Sequence, residues 1–330
     1  MTVNSWNYEI EKRLKELIII HDRWADITNI INSEFDLSLS ISAVKSYAYR
    51  RNLVIQRSQQ EPLTEYEEIK KKFRYIESDD IPVYEISTKK KWIPIWSPSD
   101  LHIGSVKFDE DTFDADRDWV IKNIDPYLIG IGDWLECSTP GSMPKSMFSQ
   151  NMTPKEQKNF ALKKFLAFKN KTITIIDGNH EKRIYQGTSF TPLEDIASEL
   201  GGINMPYGGV INVVVNNIEY KILLKHGASF SVSNAEVAKW GNIYRNVDVV
   251  MLGHTHICES FLMNEGFEIV NNKRIQTNQI GVRCGHYLGY GGYVEERPLK
   301  PLKSDSVILW LNSQTKDIII TKVSDRIKLN

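Results

Sequence analysis

The sequence predicts an α/β protein with a layered core and a pair of mixed sheets, preceded by a small helical domain. Strands alternate with helices from residue 92 onward, and the chain after Cys258 is patterned as strands to its end. Residues 7–55 instead place apolar side chains at helical spacing. A length of 330 residues suits one large domain and one smaller domain, and 41% hydrophobic residues exclude a disordered chain.

Three short helices are predicted in residues 7–55, and each has one apolar stripe. The stripes are Ile10, Leu14, Leu17 and Ile18, then Trp24, Ile27, Ile30 and Ile31, then Ile41, Val44 and Ala48. Ser40 is the predicted N-cap of the third helix. We assign residues 1–56 to this helical domain, 57–91 to a charged linker with one exposed helix, and 92–330 to the main domain.

The main domain is predicted to begin with five strands separated by helices. The strands are Trp92–Trp96, Tyr127–Ile131, Thr172–Ile176, Tyr220–Leu224 and Val247–Leu252. The helices are Asp116–Lys122, Pro154–Lys169, Pro192–Leu200 and Asn234–Tyr244. A further strand, Val210–Val215, is expected to pair with Tyr220–Leu224 through a turn at Asn216 and Asn217.

Composition excludes several classes of protein. The formal net charge of -1 excludes a chain that is basic throughout, although it allows a local basic patch. The 3 cysteines are scattered, which argues against a disulfide framework and against a thiolate zinc site. No apolar run approaches the ~20 residues that span a bilayer, so we expect a cytoplasmic protein without a membrane partner.

Each of five predicted strands is followed by residues of types that commonly bind metal ions. The motifs are Asp100-Leu101-His102, Gly132-Asp133, Gly178-Asn179-His180-Glu181, His226-Gly227 and Gly253-His254-Thr255-His256. Because ligands of α/β sheets bind at the carboxyl ends of strands, these side chains are expected to share one rim. Mixed carboxylate and imidazole ligands favour Mn²⁺, Fe²⁺ or Zn²⁺. Two such ions ~3.5–4 Å apart can activate water and hold a phosphoryl group.

Taken together, the five motifs resemble the motif series of the calcineurin-like metallophosphoesterases over roughly residues 92–290. The resemblance implies a two-sheet β-sandwich flanked by helices, with a site for two metal ions. It assigns Asp100, His102 and His256 to the first ion, Asn179, His226 and His254 to the second, and Asp133 to both. It also places His180 over the substrate, where it would protonate the leaving oxygen or stabilise charge on the phosphoryl group.

The second motif departs from that of the Ser/Thr protein phosphatases, which carry GDxxDRG. This chain reads GDWLEC from Gly132, so the arginine expected to bind phosphate is missing. Glu136 is predicted to replace the second aspartate and to orient His180, with a surface carboxylate as the alternative. Mre11-like nucleases carry histidine at this position and usually GNHD, so that match is partial. The closest resemblance is to phage-type calcineurin-like proteins with GDxxE.

The third predicted helix is basic on the face opposite its apolar stripe. Residues 37–57 contain Lys45, Arg50, Arg51 and Arg57 and no acid. The stretch from Trp24 to Leu53 resembles the helix-turn-helix modules of phage and bacterial DNA-processing proteins. The predicted DNA-binding residues are Lys45, Ser46, Tyr49, Arg50 and Arg51. The alternative is a small protein-docking bundle with a solvated basic face.

These inferences predict a helix-turn-helix domain joined to a phosphoester hydrolase that uses two divalent ions, most readily Mn²⁺. The hydrolysis is expected to be an in-line attack of activated water on phosphorus, without a covalent intermediate. A DNA-binding domain makes DNA phosphodiesters the favoured substrate and the protein a nuclease. One alternative is a phosphatase or nucleotide phosphodiesterase that its N-terminal module localises. Another is a DNA-binding regulator with a vestigial site, which the full ligand set disfavours.

Overall fold

The computed structural model describes residues 6, 8–21, 23–51, 53, 80–139, 142, 149–227, 233–270, 272–290 and 302–329. The chain divides into two compact units, Met1–Ser78 and Asp79–Asn330. Most of the predicted linker 57–91 lies outside the described residues. Its described part, 80–91, contains a strand of the second unit, β1 (Val83–Ile86), which pairs with a later strand.

The first unit contains the three predicted helices, α1 (Tyr8–Ile20), α2 (Trp24–Phe35) and α3 (Ile41–Arg50). Their apolar stripes meet in one core, and its fully buried residues include Leu14, Ile27, Ile31, Val44 and Ala48. The turn before α3 is tied to α2, because the Asn32 side chain hydrogen-bonds both backbone polar groups of Leu39.

One residue of the third predicted stripe is not in this core. Ser40 caps α3 as predicted, since its Oγ accepts a hydrogen bond from the Ala43 amide at 3.2 Å. Ile41, the first residue of α3, is 47% exposed. Tyr47 is buried instead, and its hydroxyl donates to Glu11 on α1. The expectation that Ile41 is buried was therefore wrong, because the first turn of α3 extends beyond the contact with α1 and α2.

The second unit alternates strands and helices as predicted. After β1, its strands are β2 (Trp92–Ser97), β3 (Tyr127–Ile131), β4 (Thr172–Ile176), β5 (Ile203–Asn204), β6 (Gly209–Val215), β7 (Ile218–Lys225), β8 (Val249–Leu252), β9 (Cys258–Val270), β10 (Lys273–His286), β11 (Asp305–Asn312) and β12 (Ile318–Lys322). Its helices are α4 (Glu110–Asn123), α5 (Pro154–Phe165), α6 (Asn179–Thr188), α7 (Pro192–Leu200) and α8 (Ala235–Ile243).

Hydrogen bonds join the strands of the described residues into one curled, mixed sheet of 12 strands. Its order is β1-β6-β7-β8-β10-β11-β2-β3-β4-β5, with β9 beside β10 and β12 beside β11. The two halves of this sheet correspond to the predicted pair of sheets. They are joined where the end of β10 pairs with the start of β11, with Gly285 opposite Ser306.

The two halves pack face to face, which gives the predicted sandwich. Their shared core includes Ile95, Ile131, Ile176 and Leu309 from one half and Val213, Ile222, Val249 and Val282 from the other. A second core lies between the β2-β3-β4 half and helices α4, α5 and α7, with Trp96, Phe113, Phe165 and Leu193 among its buried residues. The α/β fold class, with helices flanking a sandwich, is thus confirmed.

Candidate metal centre

The predicted ligands lie just past the carboxyl ends of strands in both halves of the sheet. Asp100 and His102 come after β2, Asp133 after β3, and Asn179 begins α6 directly after β4. His226 comes after β7, and His254 and His256 come after β8. Strands β2, β3 and β4 are parallel neighbours, as are β7 and β8, so each set presents its ligands at a single edge.

The backbone at these positions is strained. A positive φ is uncommon for residues other than glycine and persists only where the surrounding structure enforces it. Five predicted ligands have such values, namely Asp100 (51°), His102 (53°), Asp133 (49°), His254 (65°) and His256 (57°). Strain of this kind is frequent at functional sites, so the positive φ values at these five ligands agree with the motifs.

Two glycines allow the ends of β3 and β4 to touch. Gly132 has a φ of 76°, and a Cβ on it would lie 2.6 Å from the amide nitrogen of Gly178. A Cβ on Gly178 would collide with the carboxylate of Asp133. Both glycines of the second and third motifs are therefore required by the close approach of the two chain segments that carry Asp133 and Asn179.

Three groups of potential metal ligands lie within the described residues, and His102, Glu136 and His180 form one of them. The potential ligand atoms of Asp100, His102 and His256 all lie within 4.8 Å of one another, and so do those of Asp133, His226 and His254. Nε2 of His102 and Oδ1 of Asn179 are buried without a hydrogen-bond partner among the described residues. Because an unpaired buried polar atom is costly, these atoms fit a site completed by metal ions.

Hydrogen bonds orient two of the predicted histidine ligands. Nδ1 of His102 lies 3.1 Å from Oε2 of Glu136, and Nδ1 of His226 lies 2.8 Å from the carbonyl oxygen of Ile131. With Nδ1 donating in each case, Nε2 is the ring nitrogen left for a metal ion. The carboxylate of Glu136 therefore orients His102. The predicted contact with His180 is made by the Glu136 carbonyl oxygen, 2.7 Å from Nδ1 of His180.

Each carboxylate oxygen of Asp133 contacts a different neighbouring group. Oδ1 accepts a hydrogen bond from the amide of His180 at 2.8 Å, and Oδ2 lies 3.0 Å from Nε2 of His226. Burial opposes ionisation, but the charges of His226 and His180 hold the pKa of Asp133 well below its ordinary value. Burial likewise opposes ionisation of Asp100, yet His226 and His256 lower its pKa to about 2. Both carboxylates are thus anionic near neutral pH, as ligands of divalent cations must be.

Comparison with known proteins agrees with this geometry. The sequence profile of the calcineurin-like phosphoesterase family matches residues 93–258, and this range contains all five motifs. The chain belongs to the calcineurin-like phosphoesterase family. No curated protein gives a significant sequence match to the chain. In the part of this phosphoesterase that the structure describes, no helix combines the length and apolar character needed to cross a bilayer.

Several solved structures are similar to this calcineurin-like phosphoesterase. A predicted phosphoesterase from Streptococcus pneumoniae is 13% identical, with 71% of this chain and 92% of that chain covered and a TM-score of 0.34. Vacuolar protein sorting 29 from Cryptosporidium parvum is 15% identical, with 71% and 98% covered and a TM-score of 0.38. A phosphatase from Mycoplasma pneumoniae is 12% identical, with 70% and 93% covered and a TM-score of 0.36.

His180 lies beside the predicted ligands of this phosphoesterase and contacts Arg183. The His180 and His102 ring centroids are 4.5 Å apart. Burial lowers the pKa of His180 to about 4, against the opposing charge of Asp133. The two terminal nitrogens of Arg183 lie 3.1 Å from Nδ1 and from Nε2 of His180. The position of Arg183 directly after the third motif allows a contact with substrate phosphates, but the site prediction favoured a solvated helix end. In α6, His180 and Arg183 are three residues apart and share a face.

Glu181 is a second residue that the site prediction omitted. It is fully buried, and its carboxylate accepts hydrogen bonds from the amides of Asp133 at 3.0 Å, Leu135 at 2.9 Å and Gly178 at 2.9 Å. Burial and the charge of Asp133 raise the pKa of Glu181 to about 8. These three bonds hold the second and third motifs of the phosphoesterase in one arrangement, so Glu181 positions Asp133.

His286 supports the predicted ligand His256. It is buried at the end of β10, and its ring stacks on His256 with centroids 4.9 Å apart and planes 19° from parallel. The amide of Leu288 donates to Nδ1 of His286 at 3.0 Å, which fixes the orientation of the ring. The position of His286 after a late strand allows a contact with the metal rim, but its stacking on His256 depends on the pairing that brings β10 beside β8.

Proposed function

We propose that this chain is a metal-dependent phosphoester hydrolase whose centre holds two divalent ions, with Mn²⁺ preferred over Fe²⁺ and Zn²⁺. The observation that carries the proposal is that the predicted ligands lie close together. Five of them have strained backbone, and the buried ligand atoms of His102 and Asn179 lack hydrogen-bond partners among the described residues. Divalent ions at such a centre polarise the phosphoryl group and lower the pKa of water.

The chain's own residues would bind the phosphoryl group and manage the proton of the leaving oxygen. Nδ1 of His180 is bound to the Glu136 carbonyl oxygen, so Nε2, which lies 3.8 Å from Asp133 and 3.1 Å from a terminal nitrogen of Arg183, is the ring atom that would act on substrate. Because the pKa of His180 is lowered to about 4, Nε2 carries no proton near neutral pH, and we assign to it the uptake of a proton from solvent and its transfer to the leaving oxygen. Arg183 beside it supplies a cation for phosphoryl oxygens, and this charge substitutes for the arginine absent from the second motif.

The preferred substrates are proposed to be phosphodiesters, and DNA in particular. On α3, the side chains of Lys45, Ser46, Tyr49 and Arg50 are exposed, and Nζ of Lys45 lies 5.9 Å from the Tyr49 ring centroid. This face combines cations with hydrogen-bonding groups, as DNA-binding helices do. Arg51 is also exposed but forms an ion pair with Glu11, so we expect it to contribute less.

A substrate panel tests this proposal. Metal-free protein supplied with Mn²⁺ should hydrolyse bis-p-nitrophenyl phosphate faster than p-nitrophenyl phosphate, and it should cleave DNA. The absorbance of released nitrophenol and gel analysis of labelled DNA measure these activities. EDTA should abolish all of them, because every proposed step needs the metal centre. Cleavage of bis-p-nitrophenyl phosphate without cleavage of DNA would refute the proposed nuclease activity. No turnover with Mn²⁺, Fe²⁺ or Zn²⁺ would favour the regulator with a vestigial site.

The double variant Lys45→Ala/Arg50→Ala tests the DNA-binding role of α3. Fluorescence anisotropy with a labelled duplex in EDTA should give a plot of log affinity against log salt with a slope near ~-3 for the full chain. Removal of two phosphate contacts should reduce that slope by about 1.8. Lys12→Ala/Lys15→Ala, which removes two charges from α1, is the matched control and should leave the slope unchanged. Equal slopes for both double variants would contradict the assignment.

A further inference from the structure

A basic and aromatic surface adjoins the metal centre and has no role in the proposed hydrolysis. Lys182 lies on α6 two residues after His180, and Lys225 directly precedes His226. Tyr207 lies between the two lysines in the structure. Nζ of Lys182 is 5.9 Å from the centroid of its ring, and Nζ of Lys225 donates to its carbonyl oxygen at 3.1 Å. We call these three residues the Tyr207 surface.

The positive charge of this surface is not neutralised by neighbouring acids. Within the described residues, neither Lys182 nor Lys225 forms an ion pair, whereas Lys158, Lys164 and Lys171 each pair with a carboxylate. Asp177 interacts electrostatically with Lys182, but Asp177 is only 3% exposed and accepts a hydrogen bond from Thr191 at 2.8 Å. Both lysine side chains are half-buried, and in the described part of the chain an anion that reaches them has no ion-paired carboxylate to displace.

The same surface presents an aromatic ring to solvent. Tyr207 is 59% exposed, which is high for a large amphipathic side chain in a folded unit. Nζ of Lys225 also lies 4.8 Å from the ring centroid of Trp240, so this lysine is held over one aromatic residue and beside another. Exposed aromatic rings interleaved with cations bind single-stranded nucleic acids, because bases stack on the rings while phosphates contact the cations.

We propose that the Tyr207 surface binds single-stranded nucleic acid next to the metal centre, with an unpaired base stacked on Tyr207 and flanking phosphates on Lys182 and Lys225. The inference rests on the proposed function, since it names the substrate strand of that same centre. Bases in a duplex stack on each other and are not available to Tyr207, so the surface favours single strands. Lys225 is the last residue of β7 and Lys182 lies in the first turn of α6 after β4, so the surface lies at the edge of the sheet that carries the predicted ligands.

Anisotropy of a labelled 12-nucleotide oligothymidylate, measured with the full chain in EDTA, tests the inference. Tyr207→Ala should weaken binding by about tenfold, the effect of losing one base stacked on an aromatic ring. Lys182→Ala/Lys225→Ala should reduce the slope of log affinity against log salt by about 1.4, because each single-strand phosphate contact contributes about 0.7. Thermal unfolding of each variant reports whether that variant folds. If the double variant does not fold, the single variant Lys182→Ala replaces it, and the slope should then fall by about 0.7.

The matched control is Lys89→Ala/Lys90→Ala, which removes two exposed charges before β2, at the end of that strand opposite Asp100. This control should leave the salt slope unchanged. Wild-type binding by Tyr207→Ala, or an unchanged slope for the lysine variants, would overturn the inference. An equal loss of affinity for a duplex of the same length would overturn the preference for single strands. Hydrolysis of bis-p-nitrophenyl phosphate by the wild-type chain tests the proposed function separately, since binding in EDTA needs no turnover.

Discussion

Asp133→Asn is expected to reduce kcat/KM for bis-p-nitrophenyl phosphate by about 10³-fold or more. Asp133 is buried, and its two oxygens face different partners, with Oδ1 on the amide of His180 and Oδ2 beside Nε2 of His226. Asparagine keeps the shape of the side chain but replaces one oxygen with an amide nitrogen that cannot bind a cation. The substitution also removes a negative charge from the centre, so the affinity for at least one ion should fall.

The measurement pairs initial rates at saturating Mn²⁺ with the metal content of the purified chain. The variant should retain fewer ions per chain than the wild type and unfold at a similar temperature in EDTA. Asp111→Asn is the matched control, because Asp111 is an exposed acid in the first turn of α4 and its loss should leave both readouts unchanged. Undiminished turnover by Asp133→Asn with full metal content would refute the assigned ligand set.

The convergence of these side chains was predictable because their residue types are chemically specific and lie at strand ends. Parallel neighbouring strands end at the same edge of a sheet, so a correct placement of β2, β3 and β4 was enough to bring Asp100, Asp133 and Asn179 together. The supporting contacts were not predictable in this way. The carboxylate oxygen Oε2 of Glu136 lies 3.1 Å from Nδ1 of His102 and 3.7 Å from Nδ1 of His180, and no local pattern specifies which of two histidines a side chain orients.

Parts of the fold were also beyond sequence reasoning, for identifiable reasons. Helix α6 has no apolar stripe, and Glu181 is its buried residue, so hydrophobic periodicity could not reveal it. Strand β1 lies in a stretch assigned to the linker, because its pairing with β6 depends on residues more than a hundred positions later. The join between β10 and β11 likewise depends on long-range pairing at Gly285. Local signals such as the Ser40 cap were predicted correctly, since they act within one turn.

Glu181→Ala is expected to lower the free energy of unfolding by about 3 kcal/mol or more. Three amides, those of Asp133, Leu135 and Gly178, would each lose their acceptor inside the protein. A buried amide left unsatisfied costs about 1–3 kcal/mol, and the space left by the carboxylate adds to this loss. Urea unfolding in EDTA measures the change without a contribution from bound ions. Affinity for Mn²⁺ should fall as well, because the amide of Asp133 is one of the three groups released.

Glu156→Ala provides the matched control, because Glu156 also accepts a backbone amide, that of Thr153 at 2.8 Å, but does so on an exposed helix start. Water can replace that acceptor, so its loss should cost only about 0.5–2 kcal/mol. Glu181→Gln keeps one acceptor oxygen and should lie between the wild type and Glu181→Ala. A Glu181→Ala variant as stable as Glu156→Ala would show that the amides find other partners. Glu181 would then not be what positions Asp133.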